Sequence, residues 1–349
     1  MLIEVTGRKR NAQPMTTYGL QSAAGTRRAD RAGIFLLYLG DRVQRDVTQP
    51  RGTPMKSKAL LMAMLLSVSA VASAAPPTLR FCTGGEGGFY EKLGSAIGTA
   101  VIKQTGSELK VVNTGGSVEN AEKLKDGTCD IAVIQNDAVI SLPMPADIKV
   151  TDAHEEVVYW LHSKAGVDDF GKMEDDDVAK KYAFAAVSGS GALVTVRNWI
   201  KTDKDYEGAR IVEFDSWYSA AEAVSQGYVS KAGVRIEIAG MLYIGRAGAI
   251  TSDITEDFGK QILIGEVNDN SFEDSKDANN NPLYRHCAVP KEARSGLDTS
   301  NSFKDPKTYC LRAQIVFNND YLKGLDPDDA KKVRRAVDKG INSVVKVVR

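Results

Sequence analysis

The chain has 349 residues, with 45 basic and 45 acidic side chains and a formal net charge of zero. That balance offers no broad basic surface and argues against a nucleic-acid partner. Three histidines and four cysteines, with no CxxC among them, give no zinc-ligand spacing, so no metal is expected.

Residues 1–54 are scattered with arginine and hold only one short apolar run, at 33–39. They are expected to be either an extension upstream of the true initiator, Met55, or a disordered basic segment, and to take no part in the fold. Residues 55–74 follow the order of a secretory leader. Lys56 and Lys58 are basic, residues 59–71 are almost wholly apolar, and Ala72-Ser73-Ala74 supplies small residues for cleavage before Ala75 or Pro76. The apolar run is shorter than the roughly 20 residues of a spanning helix. The protein beyond it is expected to be soluble and periplasmic.

Residues 78–82 form a candidate strand that runs into Thr83-Gly84-Gly85-Glu86-Gly87-Gly88. A helix is expected over 89–103, with Leu93, Ile97, Ala100 and Val101 on one face. A second strand over 109–113 ends in Thr114-Gly115-Gly116, and Ser117 is expected to cap a helix to Lys125 that stops at Gly127. Residues 129–135 form a third strand, ending in Gln135-Asn136-Asp137. Strand–helix alternation implies a parallel sheet with right-handed crossovers, and ligands sit beyond the carboxyl ends of such strands.

The rhythm repeats. Strands are expected at 157–161, 182–187 and 211–214, with helices from Gly191 to about Lys201 and over 219–226. Ser188-Gly189-Ser190-Gly191 gives this part its own Gly-rich strand end. Residues 266–283 are polar, 308–317 form a strand, and the chain closes on a helix opened by Asp326-Pro327-Asp328-Asp329. The fold class expected is α/β in two lobes. The first would hold 75–160 with a return segment over about 285–349, and the second 161–284.

Several chemistries find no footing. No GxxxxGK[ST] is present, so there is no P-loop. Ser190 lacks the preceding glycine of a nucleophile elbow, since Ser188 stands there. Asp277 opens a loop that lacks the Gly and Glu of a calcium loop. No cofactor and no catalytic residue is expected. Four cysteines allow three pairings in an oxidising compartment. Cys287 and Cys310 flank a polar loop and are the candidate pair, with free thiols the alternative and the partners of Cys82 and Cys129 left open.

The strand ends can bind. Glycine lets backbone N–H groups approach a ligand, and a following helix N-terminus favours anions. The candidate ligand residues are Thr83, Gly84, Gly85, Gly88, Phe89, Tyr90, Thr114, Gly115, Gly116, Ser117, Asn120, Gln135, Asp137, Ser188, Gly189, Ser190, Gly191 and Trp217. The hydroxyls of Thr114, Ser117, Ser188 and Ser190 would hold a small carboxylate, an amino acid or a dicarboxylate. Arg197 or Arg246 would assist.

The same residues carry a resemblance. Residues 83–90 with Leu93-Gly94, the run Thr114-Gly-Gly-Ser-Val-Glu-Asn120, the stretch 125–137 and Ser188-Gly-Ser-Gly191 are similar to motifs of the TAXI-type solute-binding subunits of TRAP transporters. Departures are Glu86 in the first loop, Ala192 after the GSG turn, and the missing aspartate-alanine pair after Gly227. The resemblance implies a type II periplasmic-binding fold with a ligand cleft at the hinge, a monomer without enzymatic activity, and delivery to TRAP membrane subunits. A receptor for an ABC transporter or a sensor kinase on the same fold, or an α/β enzyme, is the alternative.

Overall fold

The structure is a computed structural model that describes residues 78–301 and 304–346. The leader, residues 55–74, and the segment 1–54 lie outside the described residues. Among those described, no helix is long and apolar enough to cross a membrane.

The first lobe opens with β1 (Leu79–Cys82), α1 (Phe89–Thr105), β2 (Leu109–Val112), α2 (Ser117–Lys125), β3 (Ile131–Gln135) and α3 (Asn136–Ser141). β1 pairs in parallel with both β2 and β3, as strands joined by helical crossovers do. The helices end where local chemistry stops them: α1 at Gly106, in the left-handed region, and α2 just before Gly127.

The long strand β4 (Ile148–Ser163) leaves this lobe and enters the next. The second lobe then adds α4 (Asp176–Lys181), β5 (Tyr182–Val187), α5 (Gly191–Thr202), β6 (Arg210–Phe214) and α6 (Trp217–Gln226). It continues with β7 (Tyr228–Lys231), β8 (Val234–Gly245), α7 (Ser252–Phe258), β9 (Ile262–Gly265) and β10 (Arg285–Ala288). The chain returns through β11 (Lys307–Asn318), α8 (Asn319–Lys323) and α9 (Pro327–Lys346).

The strand order is β2-β1-β3-β11-β4-β8-β5-β6, with β7 on β8, β9 on β4 and β10 on β11. Two strands therefore carry the chain between lobes. The 148–157 half of β4 pairs with β11, and its 157–163 half pairs with β8 and β9. β11 meets β10 over 307–310 and β3 over 313–317. Its register against β4 slips between Ala313 and Gln314, so β4 carries one extra residue, Ala153.

The buried residues divide in the same way. Leu93, Ile97, Phe81, Val133 and Ile315 pack with Val333 and Val337 of α9 on one side of the first sheet. On its other side Leu124, Ile134 and Ala138 meet Val194 of α5, so the two lobes touch there. In the second lobe Trp160, Phe170, Phe184, Trp199 and Phe272 form an aromatic core, while Tyr159, Val224, Met241 and Ile264 fill the opposite face. Tyr284, Tyr309 and Leu311 belong to the second lobe's core, and the chain rejoins the first lobe's core from Ala313 on.

The sequence pattern left residues 228–245 unassigned; they form the β7–β8 hairpin, turned by Ala232 and Gly233, both at positive φ. Ser117 is the first helical residue of α2 rather than its cap. Gly116 holds the cap position, and the Ser117 hydroxyl accepts from the Gln135 amide at 3.2 Å. Asp277 accepts from the amides of Asn279 and Asn281 and from the Asn281 side chain, which closes its loop without a metal. Among the described residues, no cluster of His, Cys, Asp and Glu could hold a metal ion. The four cysteines form two disulfides, Cys287–Cys310 between β10 and β11, and Cys82–Cys129.

Candidate functional site: a cleft between the lobes

A cavity of about 570 Å³ lies where the strand ends of the two lobes face each other. The first lobe supplies residues 84–90, Lys92, Gly115, Gly116, Ser117, Gln135 and Glu156. The second supplies Ser190, Gly191, Ala192, Trp217 and the stretch 243–253 apart from Ala247. Strand carboxyl ends place most of these, because a crossover sheet leaves its loops on one edge.

Five helices, α1, α2, α5, α6 and α7, begin at this cavity. α1 and α2 start at Gly88 and Gly116 without a side-chain cap, whereas Ser190 caps α5 by accepting from the Leu193 amide at 3.2 Å. Some first-turn donors are already taken. The Gly115 amide donates to Glu119 at 2.7 Å, and the Gly87 amide to Glu91 at 2.6 Å. The remaining uncapped amides of α1 and α2 give the wall a weak preference for anions.

The cations at the cavity wall are Lys92 and Arg246, the latter on the loop after β8. Its guanidinium stands over the Phe89 ring at 4.6 Å, so a residue of one lobe covers a residue of the other. Burial lowers its pKa from the usual guanidinium value, which still leaves it charged. Trp217 and Tyr243 stack edge to face at 4.9 Å on the same side. Burial pushes the Tyr243 phenol up to about 12.

The wall below is acidic. Glu156 is 2% exposed, and its Oε2 accepts from the Tyr90 hydroxyl at 3.1 Å and the Gln135 side-chain amide at 3.0 Å. Burial, and then the Glu156 charge, hold the Tyr90 phenol well above its ordinary value. His154 packs edge-on to Phe89, with its Nε2 3.3 Å from Glu156 Oε1 but outside hydrogen-bond geometry. The extra residue Ala153 immediately precedes this pair; a bulge of this kind re-aims the side chains that follow it.

Of the residues expected to touch a ligand, Gly84, Gly85, Gly88, Phe89, Tyr90, Gly115, Gly116, Ser117, Gln135, Ser190, Gly191 and Trp217 line the cavity. Thr83, Thr114, Asn120, Asp137, Ser188 and Gly189 do not. Asn120 is buried and donates to the Thr83 and Val133 carbonyls at 2.5 and 2.7 Å. The Thr114 hydroxyl sits between the Thr83 carbonyl and Asn120 Oδ1. Asp137 is fully buried, and its Oδ2 accepts from Thr195 at 2.6 Å and Tyr284 at 2.8 Å. Ser188 donates to Glu213 at 2.9 Å on the surface, and the Gly189 carbonyl accepts from the Val118 amide at 3.1 Å across the lobes.

The expected carboxylate clamp of four hydroxyls is therefore corrected. Thr114 and Ser188 are spent elsewhere, and Ser190 donates to the Val187 carbonyl at 2.6 Å while capping α5. Ser117 alone lines the cavity with its proton uncommitted. Of the two candidate arginines, Arg197 pairs with Glu213 at the surface, and Arg246 lines the cavity. Glu156 and Tyr243 were not singled out from sequence. The local signal was the polar run His154-Glu155-Glu156 directly before the apolar stretch 157–161.

Two α/β lobes joined by two long strands, with a cavity at the strand ends between them, define a type II periplasmic-binding fold. Residues 81–141, from β1 through α3, match the NMT1-like family, a minority of the chain. No curated protein matches. Among solved structures, the VFT2 domain of Bordetella pertussis BvgS is 12% identical, covering 85% of this chain and 100% of that domain at a TM-score of 0.41. The BenM effector-binding domain with its effector benzoate is 12% identical, over 78% of this chain and 94% of that one, at 0.42. The regulatory domain of OxyR from Pseudomonas aeruginosa, in its reduced form, is 11% identical over 76% and 97%, at 0.36. These scores are low, and the fold assignment rests on the strand order and the paired cores.

Proposed function

We propose that the protein is a periplasmic receptor that closes its two lobes around a small carboxylate, an amino acid or a dicarboxylate, and delivers it to a TRAP-type membrane permease. The observation that carries this reading is the cavity of about 570 Å³ lined from both lobes, with the Arg246 guanidinium at its wall over Phe89. Binding energy drawn from both lobes stabilises the closed arrangement, because a ligand shifts such an equilibrium only through contacts that differ between its states. The TGGSVEN run and the strand-end motifs support a TAXI-type subunit as the form of the receptor. A receptor role asks for no catalytic residue, and the Ser190 hydroxyl, committed to the Val187 carbonyl, is no nucleophile.

Thermal denaturation of the protein from residue 75 onward, against a panel of amino acids, keto acids and dicarboxylates, tests the binding reading. A carboxylate at 100 times its dissociation constant should stabilise the fold by about 2.7 kcal/mol. A panel without a shift, beside a clear shift with a neutral sugar or a cation, overturns the carboxylate assignment. Ligand-dependent uptake by vesicles holding TRAP membrane subunits tests the delivery step.

A further inference from the structure

Glu156 is a carboxylate 2% exposed to solvent in the cavity wall. An ionised carboxylate offers about four acceptor positions, and a buried one is costly unless donors or a counter-charge meet it. Its Oε2 is met twice, by Tyr90 and Gln135. Among the described residues, none donates a hydrogen bond to its Oε1. His154 Nε2 stands 3.3 Å from it, and neither ring nitrogen of His154 makes a hydrogen bond to a described residue.

We propose that Glu156 determines the specificity of the cavity, and that the ligand carries a hydrogen-bond donor, an ammonium or a hydroxyl, in addition to its carboxylate. This rests on the carboxylate reading above and narrows it. The donor meets Oε1, and the ligand carboxylate lies toward Arg246. A simple dicarboxylate would bring a second negative charge against a buried one with no donor to offset it. Gln135 acts as a positioning residue: its side-chain amide is oriented by Ser117, through the backbone, and by Glu156.

Calorimetry on the wild-type protein with matched acids tests this. One set is alanine, lactate, pyruvate and propionate. A second is leucine, 2-hydroxyisocaproate, 2-ketoisocaproate and isocaproate. A third is aspartate, malate and succinate. Within a set that binds, the amino or hydroxy acid should bind at least tenfold tighter than the acid lacking the donor. Which of the two wins separates ammonium from hydroxyl. In Glu156→Gln that preference should shrink to less than threefold. Equal binding of donor-bearing and donor-free acids to wild type overturns the proposal without touching the carboxylate reading. So does an unchanged ranking in a Glu156→Gln protein that melts normally. If no acid binds and a neutral sugar does, the carboxylate reading fails and this inference fails with it.

Discussion

The side-chain carbonyl of Gln135 lies against the α-carbon of Gly191, across the line where the lobes meet. A methyl group at residue 191 would stand 1.7 Å from Gln135 Oε1, 2.4 Å from its Cδ and 2.8 Å from the Ser117 hydroxyl. Glycine is needed here for close approach, and the lobes can meet only because it is present.

Gly191→Ala should therefore oppose closure. Overpacking of a tight contact costs about 1–3 kcal/mol, so ligand affinity should fall by roughly fivefold to a hundredfold. Small-angle scattering with ligand should show a larger radius than the wild type. Adding Gln135→Ala should compact the liganded protein again, because the two closest obstructing atoms are then gone and only the Ser117 hydroxyl must shift. A variant that closes and binds like the wild type would remove Gly191 from the closure contact.

Arg246→Met keeps the aliphatic stem and removes the charge. Carboxylate binding should weaken by about 1.5–3 kcal/mol, the range for a hydrogen bond to a charged group. Arg197→Met should leave binding unchanged, since Arg197 pairs with Glu213 away from the cavity. Titration calorimetry of both variants reads the difference, and equal losses would sink the assignment of Arg246.

Asp137 joins the lobes by accepting from Thr195 and Tyr284. Burial, the largest cause, raises its carboxyl above the usual 3.8, against the hydrogen bonds that oppose the shift. A raised acid binds more protons in the folded chain than in the unfolded one between the two values. Stability should thus fall as pH climbs through that window, from about 4 upward, and level off above it. Asp137→Asn mimics the protonated form and should flatten this limb in urea titrations across pH. The same slope in both proteins would rule the group out.

Each disulfide closes a long loop. The Cys287–Cys310 bond spans 23 residues and Cys82–Cys129 spans 47, for about 3 and about 4 kcal/mol in the chain-entropy model. Serine at either position of a pair should lower the unfolding free energy by about that amount. Non-reducing peptide mapping should find these two pairs, and free thiols or crossed pairs would refute them.

Export is expected to leave a protein starting near Ala75 or Pro76 when translation begins at Met55. N-terminal sequencing of the periplasmic fraction checks it, and an exported protein still carrying Met1 would contradict the leader assigned to 55–74.

What the sequence determined by itself was everything set by neighbours in the chain. The alternation of apolar runs with Gly-rich turns is local, so the parallel βαβ units, the stop at Gly127 and the acidic start of α9 were legible. The placing of three Gly-rich turns at strand ends was legible for the same reason. Tertiary structure alone decided how those turns are used. Whether a hydroxyl is free depends on groups far along the chain: Ser188 is taken by Glu213, and Asp137 by Tyr284, 147 residues away. The extra residue at Ala153 shows only when β4 is laid against β11, and a cysteine's partner is known only when two strands meet. From sequence Glu156 was one of two adjacent acidic residues just ahead of the strand expected over 157–161. Its role follows from burial beside Tyr90 and Gln135, which no local period encodes.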